Sequence, residues 1–177
     1  MASIIAAIVP VLLLLGANAT PEADKVIEVH LLPHAHCDTG WLMTVDGYFD
    51  DQVTHILSTV TEALHADRNR TFIWSEIKWI AMWWPSQSEA TRSKFRGIVE
   101  RGQLEFVGAG WSQNDEVTPH YTDIIANQAT GRAYLQSIGL MDLIPGKRIK
   151  TGWQIDMFAG FSGATPSLWA MGGFDAM

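Results

Sequence analysis

The hydrophobic positions of the chain follow two periods, and each period predicts one type of element. Short runs rich in β-branched and aliphatic residues predict strands, which cover 26–32, 71–75, 104–107 and 150–155. Between these runs, apolar residues recur every three or four positions, and this spacing predicts helices over 47–68, 77–84, 92–101, 119–138 and 165–171. Strands that alternate with helices predict an α/β fold with a parallel β-sheet and right-handed βαβ crossovers.

Polar and acidic residues follow the ends of the predicted strands. The carboxyl ends of parallel strands share one edge of a sheet, and functional groups collect there. The groups after the four strands are, in chain order, His34, His36 and Asp38, then Glu76, then Trp111, Asn114, Asp115 and Glu116, and finally Asp156. We therefore expect these side chains to share one rim of the sheet.

The segment 33–41 has the sequence PHAHCDTGW, which is rich in potential metal ligands. His34, His36 and Asp38 are spaced by two, so an extended backbone would point all three side chains to one side. Two imidazoles and a carboxylate are suitable ligands for Zn²⁺. The alternative is that the histidines only form hydrogen bonds in a loop.

Length and charge limit the classes of function. With 177 residues and 47% hydrophobic content, the chain is long enough for one ordinary domain with a sizeable core. Its net charge is -7, and its 12 lysines and arginines are scattered along the sequence. Because nucleic-acid binding needs a basic surface, a nucleic-acid partner is not expected.

The amino-terminal residues indicate export. The apolar run 4–15 is too short to span a bilayer comfortably, and Ala17-Asn18-Ala19 fits a small-x-small cleavage site, so residues 1–19 are predicted to be a signal peptide. An uncleaved membrane anchor is the alternative. Asn69-Arg70-Thr71 is an N-glycosylation sequon, which makes Asn69 a predicted glycosylation site.

The single cysteine, Cys37, excludes an internal disulfide. Strand alternation would turn Cys37 away from the face shared by His36 and Asp38, so we interpret it as a packing residue rather than a metal ligand.

The chain contains 8 tryptophans, which differ in their predicted roles. Trp79, Trp83 and Trp84 lie in a helical segment and are expected to pack in the core. Trp41 and Trp111 lie in turns beside the polar clusters and are better candidates for a surface on which a sugar ring stacks. Carboxylates, a metal site and exposed tryptophans together suit carbohydrate chemistry.

Several segments resemble, in order, blocks of the catalytic domain of glycoside hydrolase family 38, the class II α-mannosidases. The blocks are HLLPHAHCDTGWLMTVDGYF, QLEFVGAGWSQNDEVTPHY, GWQIDMF and GGFDA. The resemblance extends from about Val26 to Met177, and the continuation T-V-D-x-Y-F at 44–49 is most similar to the lysosomal acid branch. It implies that the sheet is the first part of a glycoside hydrolase/deacetylase-type β/α-barrel.

The resemblance also implies roles for individual residues. His36, Asp38 and Asp156 would bind one Zn²⁺ ion, and Asp156 would also be the catalytic nucleophile of a retaining reaction. Trp41 would stack against the bound mannose. His34 would be a neighbour in the pocket rather than a ligand, unlike the arrangement suggested by spacing alone.

For the remaining rim residues the interpretation stays open. Trp111 and Asp115 are further candidates for substrate contact. Asn114, Asp115 and Glu116 match a family block without assigned roles, and they would equally suit hydrogen bonds that hold a loop.

Two features depart from the family pattern. The family usually continues D-P-F-G from its nucleophile, whereas residues 156–159 are D-M-F-A, which puts the positioning of Asp156 in doubt. The family's fourth zinc ligand, a histidine, and its acid/base aspartate are expected beyond Met177. Residues 20–177 are therefore expected to be an incomplete, amino-terminal part of the catalytic domain that is inactive alone and needs the rest of that domain.

The favoured interpretation is a zinc-dependent retaining α-mannosidase that hydrolyses terminal α-mannosides of N-glycans. It would act in the secretory pathway, in a lysosome-like compartment or after secretion. Two alternatives remain: a non-catalytic mannose-binding module, and a metal-dependent polysaccharide deacetylase in which Asp156 would act as a general base.

Overall fold

A computed structural model describes residues 26–177. The predicted signal peptide, 1–19, lies outside the described residues. Leu32–Met177 form one compact unit, and the residues before Leu32 belong to a separate one. Within the described part of the chain, no helix is long and apolar enough to cross a membrane.

The compact unit contains six α-helices and two strands among its described residues. A helical segment begins with α1 (Val45–Tyr48), continues through a π-helical turn (Phe49–Val53) and ends with α2 (Thr54–Ala66). The other elements are β1 (Phe72–Trp74), α3 (Ile77–Trp83), α4 (Glu89–Glu100), β2 (Leu104–Phe106), α5 (Tyr121–Ser137) and α6 (Thr165–Met171). Short 3-10 turns occupy Trp84–Ser86, Met141–Leu143 and Pro145–Lys147.

Local chemistry explains where the helices start and stop. The Thr44 hydroxyl accepts a hydrogen bond from the Gly47 amide, and the Ser88 hydroxyl accepts one from the Thr91 amide, so both residues act as N-caps. Pro85 lies in the 3-10 turn between α3 and α4, where its missing amide hydrogen is compatible with the break between the helices. Gly102 follows α4 with a φ of 68° and ends the helical backbone.

The sheet is parallel, as the βαβ order predicts. Strand β1 pairs with β2 in the register Phe72–Leu104. On one side of β1, His34 forms a parallel bridge with Ile73. On the far side of β2, the Gly108 amide donates to the Thr151 carbonyl at 2.8 Å, and Thr151 forms a parallel bridge with Ala176. The order in space therefore follows the order in sequence.

The first predicted strand, 26–32, is wrong. Its residues form no strand and are exposed, and the pairing with β1 is a single bridge further along at His34. The predicted strand 150–155 is likewise reduced to the bridge at Thr151. A strand needs a hydrogen-bonded partner along its length. Within residues 26–177, the pairing at each of these two segments is limited to the isolated bridge named above. The described residues thus form an α/β unit, and the barrel implied by the resemblance stays a prediction.

The core lies between the sheet and helices α2 to α5. Trp79, Trp83 and Trp84 are buried, which confirms that they are packing residues. Aromatic rings dominate this core, because Trp83 and Trp84 both pack against Phe95 with ring centroids 5.3 and 5.8 Å apart. The other large buried side chains include Trp74, Phe106, Leu57, Ile77, Ile80, Ile98, Leu135 and Leu140.

Helix α5 packs unusually close to the turn after β2. A Cβ atom at Gly131 would lie 2.1 Å from the Ala109 carbonyl oxygen. Ala109 is fully buried and has a φ of 55°, so this turn has little room to move. Gly131 is therefore required for the contact that joins α5 to the carboxyl end of β2.

We expect Gly131→Ala to destabilise the protein by about 2–3 kcal/mol, because the added methyl group would push α5 away from rigid backbone. Gly97→Ala in α4 is the matched control: its Cβ would meet only the end of the flexible Arg101 side chain. That variant should be neutral or up to about 1 kcal/mol more stable. Denaturant unfolding measures both, and equal stability of the two variants would contradict this packing.

Candidate functional site

A cleft opens at the carboxyl ends of the strands, where the sequence places the polar rim. Its volume is about 310 Å³. Residues from all four rim segments line it: His36, Cys37, Asp38, Thr39 and Gly40, then Glu76, then Gln113 and Asp115, then Ile155, Asp156, Met157 and Phe158. The four strand ends thus each contribute to one cleft, although His34, Trp111, Asn114 and Glu116 of the predicted rim do not line it.

Three of the predicted site residues come together in the cleft. His36 Nε2 lies 3.5 Å from Asp38 Oδ1 and 3.7 Å from Asp156 Oδ2. Asp156 is far from the other two in sequence, so tertiary folding alone brings it to His36. Its backbone has a φ of 60°, a left-handed conformation that is uncommon for a residue other than glycine.

These distances can be compared with the needs of a metal ion. Ligands bound tetrahedrally at the usual Zn–N and Zn–O lengths lie about 3.4 Å from one another. The donor types and the two distances from His36 Nε2 therefore fit a shared ion. Among residues 26–177, however, no group of three or more His, Cys, Asp or Glu side chains forms a complete metal site. Zinc binding by His36, Asp38 and Asp156 therefore stays a prediction.

The loop that carries His36 and Asp38 is held in place by a core tryptophan. Trp79 Nε1 donates a hydrogen bond of 2.9 Å to the Cys37 carbonyl oxygen. The Trp79 ring is fully buried, and Phe49 from the π-helical turn stacks on it at 6.5 Å with an interplanar angle of 8°. Trp79 was expected only to pack in the core. Its hydrogen bond to the loop that carries His36 and Asp38 was not predicted.

The turn after β2 is joined to the start of α3. The amides of Ile77 and Lys78 donate to the carbonyl oxygens of Gly110 and Trp111 at 3.0 and 2.9 Å. The side chain of Asn127 on α5 holds the same turn from its other side through two hydrogen bonds with the backbone of Ser112. The rim segments after β1 and β2 are thereby fixed to each other.

Glu76 is a buried acid in this otherwise open site. It is 2% exposed, and no hydrogen-bond partner is found for its Oε2 among the described residues. Burial, and to a smaller degree the negative charge of Asp38, raise the pKa of Glu76 to about 7. Glu76 is therefore neutral in mildly acidic solution.

Cys37 is a thiol rather than a thiolate. Burial, followed by the charges of Glu76 and Asp38, raises the pKa of Cys37 to about 12. The side chain packs against the edge of the hydrophobic core, which confirms its predicted packing role.

The sequence of residues 26–177 matches a known family. The family model for the glycosyl hydrolases family 38 N-terminal domain matches residues 26–177. The chain belongs to this family.

Curated relatives in the family are similar over most of this chain. Alpha-mannosidase B of Dictyostelium discoideum is 40% identical over 161 residues, covering 91% of this chain and 15% of that protein. Lysosomal alpha-mannosidase of Homo sapiens is 42% identical over 169 residues, covering 90% and 16%. Alpha-mannosidase of Canavalia ensiformis is 37% identical over 170 residues, covering 92% and 16%. The chain thus spans about a sixth of the length of these relatives.

The backbone at 156–159, where the sequence D-M-F-A departs from the family pattern, has one residue with a positive φ. Ala159 does not adopt a positive φ, whereas Asp156 does. A proline disfavours helical backbone conformations in the residue before it, so Met157 is more compatible with this conformation of Asp156 than a proline would be.

The acidic block after Trp111 mainly holds loops. Asp115 lines the cleft, but its carboxylate accepts hydrogen bonds from the hydroxyl and amide of Thr118 and from the amide of Glu116. These hydrogen bonds, chiefly that of the Thr118 hydroxyl, lower the pKa of Asp115. Buried Glu116 accepts a hydrogen bond from the Ser162 amide at 2.8 Å and so connects this block to the loop before α6.

The predicted sugar-stacking residues lie outside the cleft itself. Trp41 is 73% exposed and lines an adjacent groove that shares His36 and Asp38 with the cleft. Trp111 is not brought to the cleft, because its ring packs against Tyr134 of α5 with centroids 6.1 Å apart. His34 lies in the groove beside Trp41 and contacts the Trp153 ring edge-on, away from the residues that line the cleft.

Two further site residues need comment. Gln113 lines the cleft, and the sequence analysis did not select it, although its place in the run S-Q-N-D-E after β2 could have suggested it. Asn69, the predicted glycosylation site, is exposed in the turn between α2 and β1. This position is compatible with glycosylation, which stays a prediction.

We expect Glu76→Gln to change how stability depends on pH. In the folded protein Glu76 holds its proton up to about pH 7, whereas the unfolded chain releases it near pH 4.5. The wild type should therefore lose up to about 3 kcal/mol of stability from this group as pH rises through that interval, and none beyond it. The variant should lack this component and be the more stable protein at pH 8. Denaturant unfolding in the presence of a chelator, at several pH values, measures the difference, and parallel pH profiles would contradict it.

Proposed function

We propose that this chain is part of a zinc-dependent, retaining α-mannosidase that hydrolyses terminal α-mannosides of N-glycans. Membership of glycosyl hydrolase family 38 supports this, as do the curated relatives named alpha-mannosidase. The human relative named lysosomal, together with the predicted signal peptide, supports action in the secretory pathway or a lysosome-like compartment. Because the chain covers about a sixth of these relatives, the activity is assigned to the whole protein.

The single observation that carries the proposal is the position of His36 between two carboxylates. His36, Asp38 and Asp156 would hold the zinc ion, with the remaining ligand supplied from outside residues 26–177. When bound there, zinc supplies Lewis-acid contacts to sugar hydroxyls that favour a distorted pyranose ring.

Asp156 would act as the nucleophile. One carboxylate oxygen attacks the anomeric carbon, the bond from that carbon to the departing oxygen breaks, and a glycosyl ester forms. Water then cleaves the ester, so mannose leaves with its anomeric configuration retained. Asp156 lines the cleft with a left-handed backbone, and its Oδ2 lies 3.7 Å from His36 Nε2. The acid that protonates the departing oxygen is expected outside this chain.

Trp41 would supply the apolar face for the sugar. It is exposed at the boundary between the cleft and the adjacent groove, next to residues shared by both. A pyranose stacked on its indole would place its polar edge towards His36 and Asp38.

We expect Asp156→Asn in the native protein to lower release of mannose from an aryl α-mannoside by at least about a thousandfold, because the amide is a poor nucleophile. Asp123→Asn, at an exposed position in the first turn of α5, should leave activity unchanged. The wild type is also given an acetylated polysaccharide, so that mannose and acetate are both quantified from substrates that can release them. If the wild type binds the mannoside without releasing mannose, the non-catalytic module is favoured. If the wild type releases acetate, the deacetylase is favoured.

We also expect Trp79→Phe to weaken zinc binding by about tenfold, because the Cys37 carbonyl would lose the donor that orients the ligand loop. Trp83→Phe removes the same volume and also one hydrogen bond, to Ser58, at a site away from the cleft. Both variants should lose about 1–3 kcal/mol of stability. Only Trp79→Phe should affect zinc affinity, measured by equilibrium dialysis, and an equal effect of both variants would refute the orienting role.

A further inference from the structure

Two buried oxygen atoms in the wall of the cleft have no hydrogen-bond partner among residues 26–177. They are Glu76 Oε2 and Gln113 Oε1, on the segments that follow β1 and β2. Folded proteins seldom leave buried polar atoms unpaired, because each one loses its hydrogen bonds to water without replacement. Eleven buried side-chain atoms lack such a partner among residues 26–177, and Glu76 Oε2 and Gln113 Oε1 are the two whose residues line this cleft, where a ligand can reach them.

The carboxyl group of Glu76 has no structural task in the helix that it precedes. Glu76 is the N-cap residue of α3, where a carboxylate would normally accept from the first amides of the helix. The backbone amides of Ile77 and Lys78 already donate hydrogen bonds to the carbonyl oxygens of Gly110 and Trp111. The Glu76 side chain makes no capping hydrogen bond. The side chain is thus left available to the cleft.

Gln113 is held in a defined orientation. Its Nε2 donates to the carbonyl oxygen of Ile155, the residue before Asp156. This hydrogen bond fixes the other end of the amide, Oε1, as an acceptor without a protein donor. Glu76 and Gln113 therefore present polar atoms from two different strand ends, close in the fold to the proposed nucleophile.

The charges around the cleft favour a neutral polar ligand. Asp38, Asp115 and Asp156 provide carboxylates, and His36 is the basic side chain among the lining residues. Glu76 is held neutral by burial, as its raised pKa indicates, so it can both donate and accept a hydrogen bond. Hydroxyl groups match this set because each can donate to Gln113 Oε1 or Glu76 and can also accept from the protonated carboxyl.

We propose that Glu76 and Gln113 form a subsite that binds hydroxyl groups of a pyranoside in the cleft. The proposal rests on the proposed function only for the identity of that sugar as an α-mannoside. Glu76 and Gln113 are binding residues here and take no part in bond cleavage.

A binding role and a structural role predict opposite effects on stability. If the oxygen atoms of Glu76 served the fold, an apolar substitution would destabilise the protein. If they serve a ligand, methionine of similar length should leave the free protein at least as stable, because an unpaired buried polar group is removed. Binding should then be lost without loss of the fold.

The test uses the native protein with ZnCl₂ present at about pH 5. Ligand-observed NMR titrations with methyl α-D-mannopyranoside, methyl α-D-glucopyranoside and methyl α-D-galactopyranoside compare four variants with the wild type. Glu76→Met and Gln113→Met should weaken binding by at least about tenfold, and Glu76→Gln should keep it within about twofold. Glu105→Met, at an exposed position on β2, is the control and should bind like the wild type. The melting temperature of Glu76→Met should not fall below that of the wild type.

The outcomes separate this proposal from the proposed function. Unchanged binding by Glu76→Met and Gln113→Met would overturn the subsite and leave the mannosidase assignment standing, with water as the occupant. Loss of binding together with a lowered melting temperature in Glu76→Met would also overturn it, in favour of a structural role. Binding of only the glucoside or galactoside, lost in the same two variants, would support the subsite while refuting the mannoside. Absence of binding to all three glycosides would overturn both.

Discussion

The hydrogen bond from the Trp79 indole to the Cys37 carbonyl supports the site more than any other single contact. The segment that carries His36 and Asp38 has little regular structure of its own and pairs with β1 through one bridge. Its position is set instead by Trp79, whose ring is immobilised in the core and covered by Phe49. Because the donor belongs to the best-packed part of the molecule, an otherwise irregular loop can present ligands at defined positions.

The rest of the site is assembled by backbone contacts between neighbouring turns. Gly131 allows α5 to approach the turn after β2, and the carbonyl groups of that turn satisfy the first amides of α3. The Glu76 side chain is therefore not needed to cap α3. The fold thus leaves Glu76 Oε2 and Gln113 Oε1 buried in the wall of the cleft without a hydrogen-bond partner among residues 26–177.

The helices could be predicted from sequence because amphipathic spacing depends on the helix alone. The predicted segments 47–68 and 119–138 correspond to α1 through α2 and to α5 within a few residues. Strand 26–32 could not be predicted correctly, since an apolar run indicates a strand only if a neighbour is present to pair with it. Trp111 illustrates a similar limit: it lies beside the polar block in sequence, yet its ring packs on Tyr134.

The sequence by itself determined which donor groups the site can use: His36, Asp38 and Asp156 were selected as predicted zinc ligands from their residue types, their motifs and their places after apolar runs. Only the tertiary structure decided how these residues meet and which neighbours serve them. Distances, burial and unpaired atoms arise from contacts between segments distant in the chain, as with Glu76 and Gln113. Local sequence specifies what each segment can donate or accept, whereas packing specifies which of those groups are already satisfied.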